Sequence, residues 1–300
     1  MPLKKAQVDS KSTATGMLPI LFKIGSFPIH TYGVLMVIAF LVALAFARKR
    51  ATRYGISPNK LSDMAFVMLI AGVLGARILF LIQEPPRDWH EYFSIQFAGL
   101  TSFGGLIGGA LVAIWWVWRK KMPMRPMLDV LGPPLLVGWA IGRVGCLMNG
   151  CCYGGVCPPN LPWALHIVVG GRTLPFHPAQ IYDSLMNLAG LGIVLLVERR
   201  GVASGRIFAI SLAANGLSRF IYEFWRAGTV AQVDAGYASS TYWGHLPITQ
   251  AQAAAGLIVL FGVFLFIVFS RRSSTAPSSD PSPVPFAPPI ESVAGVDGKA

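Results

Sequence analysis

Residues 142–155 read GRVGCLMNGCCYGG and stand at the end of a long apolar run. The stretch holds Arg143, Asn149, three of the four cysteines of the chain and five glycines. An arginine near the end of a hydrophobic helix costs on the order of a few kcal/mol unless it reaches the interface or meets an anion. Intramembrane charge of this kind indicates a functional site. The first question is therefore which anion Arg143 meets.

The composition is that of a polytopic membrane protein. Hydrophobic residues make up 54% of the 300 residues and charged residues 13%, whereas about a quarter of the residues are charged in a soluble domain. The net charge of +12 does not indicate nucleic-acid binding, because the basic residues fall in short clusters beside the apolar runs. That arrangement follows the positive-inside rule. We therefore predict membrane lipids as partners and no nucleic acid.

Seven apolar stretches are long enough to cross about 30 Å of hydrocarbon as helices. The linkers after the first, third, fifth and seventh stretches hold fourteen lysines and arginines, against three in the other linkers. The positive-inside rule then places the N-terminus outside and the C-terminus in the cytoplasm. The predicted fold is an all-α polytopic membrane protein with seven transmembrane helices, at residues 30–47, 64–82, 99–118, 128–148, 180–197, 207–225 and 249–270.

Three segments follow from this pattern. Residues 1–20 are predicted to form an extracytoplasmic tail, and residues 21–272 the seven-helix membrane domain. Residues 273–300 are rich in proline and serine and have little apolar periodicity. A segment of that composition does not bury enough apolar surface to fold, so it is predicted to be a disordered cytoplasmic tail.

The ends of the predicted helices that face outward are polar and rich in glycine, which indicates a site that opens outward. In the sixth helix, Arg219, Tyr222, Glu223 and Arg226 have the spacing of one helix face. A pair between Arg219 and Glu223 leaves Arg226 over, and Arg226 with Arg143 would then offer two guanidiniums to a phosphate. The alternative is an ion pair that only satisfies itself within the bundle.

Other polar or small residues in the helices have two interpretations each. Arg77 is either functional or a paired structural arginine. Gly104 and Gly105 allow close helix packing or leave room for a lipid. His177 precedes a proline at a predicted helix start, where it is a capping residue or a base.

The four cysteines Cys146, Cys151, Cys152 and Cys157 lie within twelve residues on the predicted outer side. Thiols outside the cytoplasm tend to be oxidised, so one or two disulfides are expected. A vicinal bridge would be strained, so Cys157 is expected to pair with Cys151 or Cys152. The spacing lacks the C-x2-C pairs of four-ligand zinc sites, and no metal or other cofactor is predicted. A reactive Cys146 beside Arg143 is the remaining alternative.

Residues 142–154 resemble the signature of bacterial prolipoprotein diacylglyceryl transferases, which runs Gly-Arg-x-Gly-Asn-Phe-x-Asn-Gly-Glu-x-x-Gly. Six of its nine fixed positions agree. The resemblance covers about residues 21 to 270 and continues, in the order of the family, through YG at 32–33, GAR at 75–77, GGLIG at 104–108, HPAQIY at 177–182 and EFWR at 223–226.

The resemblance implies a reaction in the bacterial inner membrane. Members of that family transfer the diacylglyceryl group of phosphatidylglycerol to the lipobox cysteine of a preprolipoprotein, forming a thioether and releasing glycerol phosphate. It implies that Arg143 and Arg226 hold the phosphate as its charge develops. The substrate-binding set that it implies is Tyr32, Gly104, Gly105, Gly142, Gly145, Asn149, Gly154, Gln180, Tyr182 and Glu223.

The chain departs from the family at several polar positions. The family has Phe-His-Gly-Gly at the start of the third helix, and its proposed base is here Phe103. The asparagine and glutamate of the signature are Cys146 and Cys151. His177 or an already ionised substrate thiol would have to replace the base. Two other functions therefore stay open, a lipid-binding accessory protein of the same fold and a thiol-disulfide membrane protein.

Overall fold

The computed structural model describes residues 17–25, 27–83, 85, 101–169, 171–202, 204–228, 232, 242 and 248–273. The predicted tails at 1–20 and 273–300 lie outside these residues, except for 17–20 and 273. The described residues form seven helices: α1 Thr31–Arg53, α2 Pro58–Gln83, α3 Ser102–Arg119, α4 Met124–Met148, α5 Ala179–Glu198, α6 Arg206–Ala227 and α7 Gln250–Ser273.

The seven predicted helices correspond to these seven, with shifted ends. The first extends to Arg53 and the second begins at Pro58, because the prediction counted only the apolar residues that cross hydrocarbon, while a helix continues into the polar interface. Five of the helices are long and apolar enough to cross a membrane: α1, α2, α4, α5 and α7. The others are α6, which carries Arg219, Glu223 and Arg226, and α3, whose apolar part is the shorter Gly104–Arg119.

Two antiparallel hairpins accompany the helices, and the sequence did not predict them. The first pairs β1 Ile20–Ile24 with β2 Phe27–His30, and the second pairs β3 Leu165–Val169 with β4 Arg172–Phe176. Strands of four or five residues escape a search for membrane-spanning runs. The second hairpin lies between α4 and α5 in the chain and buries Ile167, Val169 and Phe176 against Tyr153 of the signature stretch.

Helix α4 is central, since it packs against α1, α5 and α6, while α7 packs on α6 and α3 on α2. The contact between α2 and α3 depends on glycine. A Cβ atom added at Gly104 would collide with the carbonyl oxygen of Gly75, and one added at Gly108 would lie 2.5 Å from the carbonyl oxygen of Ala71. Gly105 faces the same helix through Gly72. Gly104 and Gly105 thus take part in close helix packing.

A buried polar network, here called the Arg50 network, joins the start of α4 to α1 and α5. Arg50 is 1% exposed and donates to Glu198 Oε2 at 2.6 Å and to the carbonyl oxygen of Asp129 at 2.8 Å. Tyr54 donates to Glu198 Oε1 at 2.8 Å. The carboxylate of Asp129 accepts the backbone N–H of Gly205 at 2.5 Å and that of Phe208 at 2.9 Å. This network ties three helices and the start of α6 together.

Candidate active site

Arg143, in the last turns of α4, is held between α5 and α6. Its Nε donates to Asp183 Oδ2 at 2.5 Å, and one terminal nitrogen donates to the hydroxyl oxygen of Tyr222 at 2.9 Å. The guanidinium also lies over the rings of Trp139 and Tyr222, with its central carbon 5.1 and 5.2 Å from the ring centres. The orientation of Arg143 is therefore determined by two neighbouring helices.

Asp183 is the residue of this site that the sequence did not single out. It is fully buried and accepts hydrogen bonds from Trp139 Nε1 at 2.9 Å, Asn187 Nδ2 at 2.8 Å and Ser218 Oγ at 2.7 Å, besides the one from Arg143. These four donors satisfy the hydrogen-bonding capacity of the buried carboxylate. An aspartate in an apolar helix requires partners of this kind, and that signal was present in the sequence.

Glu223 of α6 lies between two arginines. It is 0% exposed, with Arg219 at 3.0 Å and Arg226 at 3.4 Å from Oε2. The expected pair of Arg219 and Glu223 is present, but the expectation that Arg143 and Arg226 are unpaired is wrong. Arg219 and Arg226 both pair with Glu223, because each lies about one helical turn from it in α6. Arg143 pairs with Asp183, because α4 packs on α5.

Arg143, Arg219 and Arg226 are here called the arginine cluster. Arg219 lies over the Tyr222 ring at 4.8 Å, on the ring that also contacts Arg143. The described ion pairs of the cluster involve two carboxylates, so one positive charge is in excess. Arg226 Nε is buried and has no hydrogen-bond acceptor among the described residues. The side chains of the three arginines keep 13%, 23% and 18% exposure, so an anion can approach them.

His177 and Tyr182 form an aromatic group beside the signature stretch. His177 Nδ1 lies 3.3 Å from the Tyr182 hydroxyl, which accepts a hydrogen bond from Trp163 Nε1 at 2.9 Å. Tyr182 also meets the ring of Trp225 edge-on, with 5.4 Å between ring centres. Burial lowers the pKa of His177, so its ring is neutral at neutral pH and can accept a proton. The N-cap of α5 is Pro178, and no side chain caps it, so His177 does not cap this helix.

The end of the signature stretch is held by backbone hydrogen bonds to His177 and Trp225. Gly154 N–H donates to the carbonyl oxygen of His177 at 2.8 Å, and Gly155 N–H donates to that of Trp225 at 2.8 Å. A Cβ atom at Gly154 would lie 2.5 Å from the Trp225 carbonyl oxygen and 2.8 Å from His177 Cβ. Only glycine lets the stretch pass here, which explains why the signature ends in glycine.

The other glycines of the signature bring α1 close to α4. A Cβ atom at Gly145 would lie 3.3 Å from Tyr32 Cδ2, and one at Gly142 would lie 3.6 Å from Met36 Sδ. Tyr32 is 38% exposed and lies beside the cysteines of the signature. Tyr32 thus lies against the last turns of α4, which also carry Arg143.

The disulfides that the sequence led us to expect are absent, since all four cysteines are free thiols. The sulfur atoms of Cys146, Cys151 and Cys152 lie within 4.8 Å of one another; these residues are here called the thiol cluster. Cys157 is buried outside the cluster, where its N–H donates to the Pro175 carbonyl oxygen of β4 at 2.9 Å. Its attachment to the hairpin keeps Cys157 from the expected partners.

The end of α4 explains how the thiol cluster forms. Asn149 is the C-cap, exposed at the surface, and Gly150 follows with φ of 69°. Gly150 N–H donates to the Leu147 carbonyl oxygen at 3.0 Å, and Cys151 N–H donates to that of Cys146 at 3.1 Å. These two bonds are the Schellman motif. The motif turns the chain back, so that Cys151 lies over Cys146.

Helix α5 supports the loop that follows. Gln180 is 1% exposed, and its Nε2 donates to the Cys151 carbonyl oxygen at 2.7 Å. Hydrogen bonds from the Cys146 and Cys151 thiols lower the pKa of Cys152, and the positive charges of Arg143 and Arg226 lower it further. Arg143 also precedes Cys146 by three residues in α4, so the thiol cluster and Arg143 lie at the same end of this helix.

Other predicted residues lie elsewhere or outside the described part. Arg77 lies over the ring of Phe80, with its central carbon 5.7 Å from the ring centre. That contact favours its structural interpretation. The side chain of Phe103 lies outside the described residues, so the position of the expected base is not described.

The family model for prolipoprotein diacylglyceryl transferase matches residues 19–268. The chain belongs to this family. Its similarity to three bacterial relatives, each named phosphatidylglycerol–prolipoprotein diacylglyceryl transferase, extends over most of the sequence. The relative from Bordetella avium is 30% identical over 270 residues, which are 86% of this chain and 97% of that protein. The relative from Symbiobacterium thermophilum is 29% identical over 87% of this chain and 96% of its own length. The relative from Clostridium tetani is 27% identical over 83% of this chain and 97% of its own length.

Family membership gives the arginine cluster and the signature glycines a common context. Arg143, Gly145 and Gly154 agree with the family signature, and each has a geometric role in the structure. Cys146 and Cys151 differ from the signature, and both belong to the thiol cluster. Two of the three positions at which this member of the prolipoprotein diacylglyceryl transferase family departs from its signature are therefore close in space.

Proposed function

We propose that this chain transfers the diacylglyceryl group of phosphatidylglycerol to the lipobox cysteine thiol of preprolipoproteins. The observation that carries the proposal is the excess of one positive charge in the arginine cluster, counted over the described residues, in a chain of the prolipoprotein diacylglyceryl transferase family. Phosphatidylglycerol carries one negative charge on its phosphate. The cluster therefore has the charge and the donors that this lipid requires.

The arginines act on the leaving group. When the bond between the glycerol carbon and the phosphate oxygen breaks, the departing glycerol phosphate gains a negative charge, and preorganised donors stabilise it in the transition state. An arginine has five N–H donors, and Arg143 uses two of them toward Asp183 and Tyr222. Its remaining donors and the buried Nε of Arg226 are proposed to hold the phosphate oxygens.

His177 is proposed to accept the proton that the acceptor thiol loses. Its lowered pKa keeps the ring neutral and able to accept. The backbone bonds with Gly154 and Gly155 place it beside the signature stretch. Tyr182, 3.3 Å from Nδ1, orients the ring.

We further propose that the chain spans the bacterial inner membrane seven times with its N-terminus outside. The distribution of fourteen against three basic residues in alternate linkers supports this orientation. It puts the Arg143 end of α4 at the outer leaflet, which is the side from which a secreted preprolipoprotein arrives. The Arg50 network then lies toward the cytoplasm.

The test is transfer of labelled lipid from phosphatidylglycerol to a lipobox peptide by the purified protein. We expect transfer by the wild type and by Arg172→Ala, which changes an exposed arginine of β4, and loss of transfer in Arg226→Lys. A peptide with serine in place of the lipobox cysteine should remain unlabelled. A folded wild-type protein that transfers no lipid would overturn the proposal.

The second candidate is a lipid-binding accessory protein that has lost the chemistry, and Phe103 at the position of the family's proposed base favours it. Complementation of a transferase-deficient strain separates the two. Restored growth with the wild type, lost with Arg143→Ala, supports the enzyme. Phosphatidylglycerol binding without complementation supports the accessory protein.

A further inference from the structure

The thiol cluster has the dimensions of a metal site with three sulfur ligands. Around a zinc ion, tetrahedral bonds of about 2.3 Å separate two sulfurs by about 3.8 Å. The sulfurs of Cys146, Cys151 and Cys152 already lie within 4.8 Å of one another. Each sulfur therefore has to move by at most about 0.6 Å to bind one ion. A χ1 rotation of about 20° at each cysteine, within the width of one rotamer well, achieves this without backbone movement.

The backbone of the loop is built to bring these three sulfurs together. Successive side chains of an extended chain point to opposite sides, yet Cys151 and Cys152 are neighbours whose sulfurs both lie near Cys146. The turn includes Cys152 with φ of 63°, a conformation that residues other than glycine rarely adopt. Strain of this kind concentrates at functional sites. The hydrogen bond from buried Gln180 to the Cys151 carbonyl oxygen supports the loop from behind.

A bridge between two cysteines accounts for the cluster less well. Three cysteines can form only one disulfide, which leaves the third thiol without a partner. A disulfide between the neighbours Cys151 and Cys152 would also be strained. The sequence predicts no metal because the spacing does not match a structural site with four protein ligands. Catalytic zinc sites differ, since three protein ligands hold the ion and the fourth position is open.

We propose that Cys146, Cys151 and Cys152 bind Zn²⁺ as three thiolates and that its fourth position binds the thiol of the acceptor cysteine. The inference rests on the proposed function for the identity of the acceptor. Arg143 precedes Cys146 by three residues in α4, so its positive charge lies about one helical turn from the cluster. It offsets the net negative charge of an ion with three thiolate ligands.

The site would supply the step that Phe103 cannot provide. A thiol that coordinates zinc is deprotonated outright, and His177 accepts the released proton. The bound sulfur attacks the glycerol carbon of phosphatidylglycerol, a carbon–sulfur bond forms and the carbon–oxygen bond to the phosphate breaks. The electron pair of that bond leaves with the oxygen as glycerol phosphate, which the arginine cluster holds. No oxidant or reductant is needed.

Metal content tests the site directly, without phosphatidylglycerol. The full chain is purified in detergent with a reductant, stripped with a chelator and titrated with Zn²⁺, and the bound zinc is measured by mass spectrometry. We expect about one zinc ion per chain in the wild type and in Cys157→Ser, a matched control outside the cluster. Cys146→Ser, Cys151→Ser and Cys152→Ser should each weaken binding at least about tenfold. Equal loss in the Cys157→Ser control would overturn the inference.

Cobalt(II) in place of zinc reports the ligands. The intensity of the thiolate-to-cobalt absorption should fall by about a third for each cluster cysteine removed, since each sulfur contributes one ligand. A lipobox peptide should raise it, and the serine version of the peptide should not. The inference would be overturned if reduced wild-type protein lacked these bands. It would also be overturned if a thiol count showed a disulfide in the cluster after purification. Both measurements use the wild type, so they do not depend on the folding of a serine variant.

The two proposals fail in different ways. Zinc bound as expected, with the cobalt response to the peptide, supports the site even when no lipid is transferred, and that result overturns the proposed function. Transfer that continues unchanged in stripped protein overturns the zinc site and leaves the proposed function standing.

Discussion

The two ends of α4 carry different charged groups. The Arg50 network at its start has one buried arginine and two carboxylates, and the arginine cluster at its end has three arginines paired with two carboxylates. Fourteen residues separate Asp129 from Arg143, about 21 Å along the helix. In the Arg50 network both carboxylates accept hydrogen bonds at both oxygens, and Arg50 is 1% exposed. In the arginine cluster the cations outnumber the acids and stay partly exposed.

This difference separates a structural network from a binding site. Charges that satisfy one another inside a protein contribute packing and specificity, and they leave nothing for a ligand. Arginines that outnumber their described carboxylate partners and stay partly exposed keep donors that an anion or water can complete.

Arg50→Ala should be the most damaging change to stability. It leaves Glu198, whose side chain is 14% exposed, beside Tyr54 without its counterion, and removal of one partner of a buried pair costs up to about 3–5 kcal/mol. Thermal unfolding in detergent measures this, with the exposed Arg172→Ala as control. At temperatures where the variant is folded, lipid transfer should persist. Wild-type stability in Arg50→Ala would contradict a structural role.

Arg143→Lys should lower the rate of lipid transfer and leave the stability nearly unchanged, the reverse of Arg50→Ala. The charge next to Asp183 remains, so the melting temperature should change little, but lysine lacks the planar fork that binds Asp183 and phosphate together. Loss of one preorganised donor costs about 10²–10³ in rate. Initial rates of lipid transfer at saturating phosphatidylglycerol measure the effect. A variant that retains full activity would refute the phosphate-holding role of Arg143.

Gly154→Ala should disturb the site through the backbone. Its Cβ would overlap the Trp225 carbonyl oxygen and His177 Cβ, and overpacking of this kind costs about 1–3 kcal/mol. Gly192→Ala in α5 is the control, because nothing lies within 4 Å of an added Cβ there. The control should match or exceed wild-type stability by up to about 1 kcal/mol. Both variants are compared by thermal unfolding and transfer rate.

The pH dependence set by His177 should be the smallest effect. Burial lowers its folded pKa below the ordinary value of about 6.5, so the unfolded chain binds more protons between the two values. The contribution to stability is then complete above pH about 6.5 and is lost as pH falls through the folded pKa. Transfer should decline over the same acidic range, because only the neutral ring accepts a proton. His177→Gln should remove this dependence.

Much of the fold was predictable because hydrophobic length is a local property. The apolar runs predicted all seven helices, and polar residues at the interface account for the shifted ends of α1 and α2. The hairpins were missed because strands of four or five residues carry no membrane signal. Arg143 and Arg226 stood out because a charge in an apolar run requires partners or a function, and the same holds for Asp183 in α5.

The sequence by itself determined that this chain is a bundle of apolar helices with arginines near the ends of two of them, together with the four cysteines and the signature glycines. Only the tertiary structure decided which charges balance. Asp183 meets Arg143 across the contact of α4 with α5, forty residues apart in sequence. The turn after α4 gathers Cys146, Cys151 and Cys152 and leaves Cys157 with β4. Composition depends on each residue alone, whereas ion pairs and metal ligands depend on how helices pack.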